Sequence, residues 1–113
     1  MLNVIDDTLS FADSSSTALL GSVAFRMLSV ATDSANITSP SSPPSIGTEL
    51  GSTFLTFANN ALTLVNSSID ADGWLENTAD PYTFSAASAP GVHSPEGQAF
   101  VLLLYSAWRD YIN

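Results

Sequence analysis

Between residues 50 and 65 the side chains Leu50, Phe54, Phe57, Ala58, Ala61, Leu62 and Val65 recur at intervals of three and four without a break. Only an α-helix gathers such positions onto one face, because its 3.6-residue turn brings the chain back to the same side. The spacing predicts a helix over about 47–67. Leu55 and Leu64 lie beside the stripe, so this helix touches more than one neighbour. Its opposite face carries Thr53, Thr56, Asn59, Asn60 and Thr63, all polar and uncharged, as suits a wet or partly covered surface.

Two more segments repeat the pattern. Ala18, Leu19, Val23, Met27 and Val30, widened by Leu20, Ala24 and Ala31, predict a helix over about 15–32, with Asp13 and Ser14 to Ser16 supplying oxygens to its first free amides. Ser94-Pro95-Glu96 opens a third over about 95–112. Serine caps, proline at the first turn loses no needed hydrogen bond, and glutamate complements the dipole. Phe100, Val101, Leu103, Leu104, Ala107, Trp108, Tyr111 and Ile112 make this helix so apolar that it needs cover on more than one side, which favours self-association. Three prolines within 39–45 fix the backbone in an extended loop, and a second long loop spans 68–94. The expectation is one all-α domain over residues 1–113, three main helices with long loops.

Charge narrows the partners. Arg26 and Arg109 are the only cations against eleven carboxylates, a net charge of -9. Two isolated arginines cannot neutralise a phosphate backbone or an anionic membrane surface, which argues against nucleic acid and membrane. With no cysteine there is neither disulfide nor thiolate metal site, and one histidine excludes a multi-histidine zinc site in one chain. No basic, apolar leader opens the sequence, so cytoplasmic and secreted settings both fit, the latter if a leader has been removed. The sequons at Asn36 and Asn66 matter only after secretion.

The two loops read alike. Asn3-Val-Ile-Asp6-Asp-Thr8-Leu-Ser-Phe11 precedes a serine-capped helix with Thr17-Ala18-Leu19, and Asn77-Thr-Ala-Asp80-Pro-Tyr-Thr83-Phe84 precedes another with Gln98-Ala99-Phe100. A repeat about seventy-five residues apart suggests stacked helix pairs, each unable to bury its apolar face alone. The first of these stretches, Val4 to Leu20, resembles the loop-plus-inner-helix segment of the six-hairpin glycosidases, in particular the unsaturated glucuronyl and rhamnogalacturonyl hydrolases. Asp72-Gly-Trp-Leu-Glu-Asn-Thr-Ala-Asp80-Pro-Tyr-Thr-Phe with Ser94-Pro-Glu-Gly-Gln-Ala-Phe is similar to the carboxy-terminal repeat of their fungal members. The resemblance covers most of the chain outside the proline-rich loop. It implies an inner–outer–inner helical unit of an α/α toroid. It also implies that the family's catalytic acids lie on earlier hairpins with no counterpart here, so no residue inherits a catalytic role.

The densest polar cluster is Asp70-Ala-Asp72-Gly-Trp74-Leu-Glu76-Asn-Thr-Ala-Asp80, with His93, Ser94 and Glu96 at its far end. Asp72 and Asp80 could serve as a glycosidase acid pair, although carboxylates around an Asp-Gly turn are more often solvated or capping. Asp70-x-Asp72-Gly does not match an EF-hand, since glycine arrives too early. His93 and Ser94 are neighbours and make no triad, and no cofactor is implied. Trp74, Tyr82 and Phe84, with His93, could line a ligand site by stacking on a sugar, but the favoured role for the rings is closing the loop over the helix ends. Arg26 and Arg109, beside Asp110, are expected in ion pairs or facing solvent, with a loop carboxylate as the partner for a buried arginine.

The favoured reading is a non-catalytic acidic protein that forms a homodimer or larger homo-oligomer and acts by surface recognition of a partner or receptor. Taste receptors fall in that class, though no residue argues for them. A carbohydrate-binding remnant, or a hydrolase assembled from several chains, are the alternatives.

Overall fold

A computed structural model describes residues 1–4, 6–35 and 48–113, so the proline-rich segment 39–45 and the sequon at Asn36 lie outside the described residues. Three helices make the fold, α1 (Ser14–Ala35), α2 (Thr48–Ser67) and α3 (Pro95–Ile112), with no strands among the described residues beyond three isolated bridges. The protein is all-α. None of the three helices is long and apolar enough to cross a membrane.

α1 is the centre and packs against both α2 and α3. α1 and α3 run parallel. Ser15 lies beside Gly97 near their starts, while Arg26 meets Asp110 and Phe25 meets Tyr111 near their ends, the two rings 5.5 Å apart. α2 runs the other way, its end delivering the chain back to the α3 start, where the Glu76 amide donates to the Ser68 carbonyl at 2.8 Å. The core is the shared interior of these helices: Ala18, Ala24, Phe25 and Leu28 from α1, Ala58, Ala61 and Val65 from α2, Val101, Leu104 and Ala107 from α3. Leu75 comes down from the loop to close it.

The small residues are what let three helices meet. A methyl group on Gly21 would stand 2.8 Å from the Ala61 Cβ and 3.0 Å from the Leu104 Cδ1. Both neighbours are buried, so neither can swing aside. The polar residues expected on the far side of α2 are exposed. The hydroxyls of Thr53, Thr56 and Thr63 donate to carbonyls one turn back, satisfied within the helix.

Arg26 is ion-paired and faces solvent, as expected, and its partner is a carboxylate of α3. Its Nη1 lies 2.8 Å from the Asp110 Oδ2, and both side chains are about half exposed. A surface pair of this kind contributes about 0–1 kcal/mol. It fixes the register of α1 on α3 more than it holds them together. Asn66 stands near the end of α2, where its Oδ1 accepts a hydrogen bond from the Tyr105 hydroxyl.

At Gly21 two effects oppose each other. Alanine gains about 1 kcal/mol of helix propensity, while overpacking a rigid contact costs about 1–3 kcal/mol. Because the nearer atom is the Ala61 Cβ, a part of α2 that can move only with its backbone, the clash should win. Gly21→Ala is expected to lower unfolding stability in urea and Gly21→Val to lower it further. A stabilising Gly21→Ala would show that α1 and α2 can separate freely.

Candidate functional site: the loop end

The segment before α1 and the loop between α2 and α3 both sit at the end of the molecule where α1 and α3 begin, and they are built alike. In the first, Leu2 bridges Ala12 and the Asn3 amide donates to the Phe11 carbonyl at 2.9 Å. In the second, Ala79 bridges Ala87 and the Asp80 amide donates to the Ala86 carbonyl at 3.0 Å. Each closure turns on an aspartate whose Oδ1 accepts the amide two residues on: Asp7 from Leu9 and Asp80 from Tyr82. Such turns are a property of short carboxylate side chains, which reach their own backbone. The loops touch where the Asn3 side-chain amide donates to the Phe84 carbonyl, at 2.5 Å.

Asp13 ties this end together. Its Oδ1 accepts the Ser15 amide (3.2 Å) and hydroxyl (2.8 Å), and its Oδ2 accepts the Ser16 amide (3.0 Å), so it caps α1. The same Oδ1 also accepts the Ala79 amide of the other loop, at 3.3 Å. Ser14 adds two links, its amide to the Asn77 carbonyl at 3.1 Å and its hydroxyl to the Glu76 carbonyl at 2.5 Å. Asn77 presents that carbonyl from a left-handed conformation (φ 60), which asparagine tolerates better than most residues. Burial raises the Asp13 pKa, but the hydrogen bonds from Ser16 and Ser15, side chain and backbone, outweigh it and hold the group below 3.8.

The α3 start is capped as its sequence predicts. Ser94 is extended and its Oγ accepts the Gly97 amide at 3.0 Å, with Pro95 and Glu96 in the first turn. Gln98 then reaches up to the loop. Its Oε1 accepts the Leu75 amide (3.0 Å) and its Nε2 donates to the Gly73 carbonyl (2.9 Å). The repeat included Gln98 without assigning it this role, and no sequence signal marked the reach of Asp13 to Ala79. Both are long-range bonds that periodicity and capping rules do not see.

The segment between carries the chemistry. Asp70 Oδ1 accepts the Asp72 and Trp74 amides at 2.9 and 2.8 Å, and Gly73 takes φ 90 to complete the turn. The His93 ring lies flat on the Trp74 indole, centroids 4.5 Å apart and planes within 7°. That stack aims the His93 Nε2 at Glu76 Oε1 (3.5 Å) and Asp70 Oδ2 (4.0 Å). Asp70, Glu76 and His93 thus bring three donor atoms within 4.8 Å of one another, and they are the group among the described residues that could hold a cation. Glu76 also faces the Gly91 amide at 3.3 and 3.4 Å, so the cluster already serves to fasten the 91–93 segment over the turn.

Of the residues singled out in sequence, Trp74 and His93 come together. Tyr82 and Phe84 do not close the loop over the helix ends. They stand 94% and 75% exposed, because the short Asp80 turn is satisfied by its own backbone bonds and points both rings outward. Asp72 is exposed and Asp80 half-buried. Surface depressions on α2 (Ser52, Thr53, Thr56, Phe57, Asn60) and α3 (Leu102, Tyr105, Ser106, Trp108, Arg109) are lined by neither.

The lowered Asp13 pKa fixes the sign of one pH dependence. Its stabilisation is present above the ordinary carboxylate value and is lost as pH falls through the lowered one. Asp13→Asn imitates the protonated acid. The variant should be less stable than the native chain by about 1–2 kcal/mol at pH 7. The gap should close as pH falls through the lowered value, where the native carboxylate takes up its proton. Urea unfolding across that range measures it, and a pH-independent gap would remove the carboxylate's charge from the account.

No family model, curated protein or solved structure matches the chain, so what this end of the molecule can do is argued from its own geometry.

Proposed function

We propose that the chain works by recognition and not by catalysis, presenting the loop end of a helical unit related to the six-hairpin glycosidases to a partner protein or receptor. The relationship is supported by two parallel helices with alike capped starts and alike loop closures, separated in sequence by an antiparallel one.

One observation carries the functional reading: four carboxylates of this end are engaged while two of its rings are not. Asp13, Asp70, Glu76 and Asp80 all accept backbone amides. Tyr82 and Phe84 stand in solvent on a loop that those bonds already order. Exposed aromatic rings on a pre-ordered loop are the kind of group that dominates binding energy, since little conformational entropy remains to be lost. A glycosidase instead needs two carboxyl groups flanking a pocket at about 5–10 Å. Asp72, on the exposed Asp-Gly turn, lines neither described depression.

The same rings favour a second reading, a carbohydrate-binding surface, since Tyr82, Phe84 and Trp74 offer faces on which a sugar could stack. A net charge of -9 turns that reading toward neutral rather than uronic oligosaccharides.

If the rings serve binding, the fold does not need them. The double variant Tyr82→Ala/Phe84→Ala should unfold within about 0.5 kcal/mol of the native chain. A loss above about 1 kcal/mol would make the rings structural and sink the proposal. Nuclear magnetic resonance titration with neutral and uronic oligosaccharides separates the two readings, because sugar binding would shift the Trp74, Tyr82 and Phe84 signals. Turnover of an unsaturated uronyl substrate by the native chain, abolished in Asp72→Asn/Asp80→Asn, would overturn recognition in favour of catalysis.

A further inference from the structure

Three side chains of the second loop point at one spot from separate anchors. Asp70 gives its Oδ1 to the Asp72 and Trp74 amides, which leaves Oδ2 facing the His93 Nε2 at 4.0 Å. The His93 ring is held in its plane by the stack on Trp74. Glu76 stands on backbone fixed at both its groups, the amide on the Ser68 carbonyl and the carbonyl on the Ser14 hydroxyl. From there its Oε1 comes within 3.5 Å of the same nitrogen. Gln98 of α3 grips the Gly73 carbonyl and the Leu75 amide, so the turn between the two carboxylates is tied to the helix that His93 precedes.

The separations distinguish a pair from a site. An N–H···O hydrogen bond spans about 2.7–3.2 Å, and both contacts of the His93 Nε2 are longer. Donors that share one metal ion, each about 2.0–2.2 Å from it, stand about 3–4 Å apart. Distances of 3.5 and 4.0 Å meet that spacing. All three donor atoms lie within 4.8 Å of one another, and a small rotation of the longer Glu76 side chain closes the rest. Charge asks for the same occupant. Two carboxylates converge here, while Arg26 is paired with Asp110, Arg109 lies in the last turn of α3, and the chain has no lysine. The three side chains are between 21% and 32% exposed, covered enough to keep their geometry and open enough for an ion to enter.

We propose that Asp70 Oδ2, Glu76 Oε1 and His93 Nε2 bind one divalent transition-metal ion. An imidazole nitrogen beside carboxylate oxygens favours zinc over calcium or magnesium, which take oxygen donors. Three protein donors leave a coordination position for water. Bound there, the ion joins the α2 end of the second loop to its α3 end, across the segment that carries Tyr82 and Phe84. The site stands on its own ligands and does not depend on recognition by those two rings.

Calorimetric titration of the full chain with zinc, on protein carrying no added histidines, should find one saturable site per chain. Nuclear magnetic resonance should place the largest shifts at His93 and Trp74. Asp70→Asn keeps the oxygen that accepts the turn amides, and Glu76→Gln and His93→Gln alter partly exposed side chains, so all three should keep their helical circular dichroism. Each should lose at least about tenfold in zinc affinity, the loss that follows even from removing an indirect partner of a metal. Asp6→Asn takes one charge from the other loop and should leave that affinity unchanged. Zinc should also raise the urea midpoint of the native chain and not that of His93→Gln, a reading that does not require the two to be equally stable. A native chain with no saturable zinc site would overturn the proposal. So would equal weakening by Asp6→Asn, which would mean diffuse attraction to an acidic chain, or calcium binding tighter than zinc, which would take the imidazole out of the site.

Discussion

The carboxylate of Asp13 is the interaction on which the loop end depends. Capping alone would make it one helix signal among three, replaceable by serine or asparagine at modest cost. Its bond to the Ala79 amide makes it more than that, because the first loop and the second are then organised around one buried charge. Ser14 and the Asn3 side chain add bonds across the same seam, and Gln98 ties the second loop to α3. The price of burying an ion is met there by four donors, and the hydrogen bonds prevail over desolvation, as the lowered pKa records.

Charge placement follows from helix direction. α1 and α3 point their amino termini the same way, so two positive dipole ends meet at the loops against the one negative end of α2. Asp6, Asp7, Asp13, Asp70, Asp72, Glu76, Asp80 and Glu96 all belong to that end, which leaves Asp33, Glu49 and Asp110 for the rest of the chain. Concentrating the carboxylates there compensates the dipoles and keeps the helix sides free for packing. The acidity of the whole chain is therefore a property of one end.

The helices were legible because periodicity and caps are local. Ser94-Pro95-Glu96 begins α3 where its residue types require, and the apolar spacing of α2 marks its buried face. α1 continues to Ala35, beyond the expected stop near residue 32, since serine and aspartate weaken a helix without breaking it. The density of polar residues also marked the segment from Asp70 to His93. What could not be read were pairings between distant residues. The stack of His93 on Trp74, the grip of Gln98 on the turn and the meeting of Arg26 with Asp110 depend on how the helices pack. The outward turn of Tyr82 and Phe84 escaped for a related reason: hydrophobicity says that a ring gains from burial, not that a short aspartate turn has room to bury it.

A single charge shared by two loops also sets how the molecule breathes. The Ser16 amide begins a helix and the Ala79 amide belongs to a loop 63 residues away in sequence, yet both are held by one carboxylate. Neither can be released to solvent without loosening the other's partner, so the two should open as one cooperative unit with a common free energy. In hydrogen exchange, protection at the start of α1 would then follow the second loop rather than the remainder of its own helix, and a ligand gripping Tyr82 and Phe84 would slow exchange at serines it never touches.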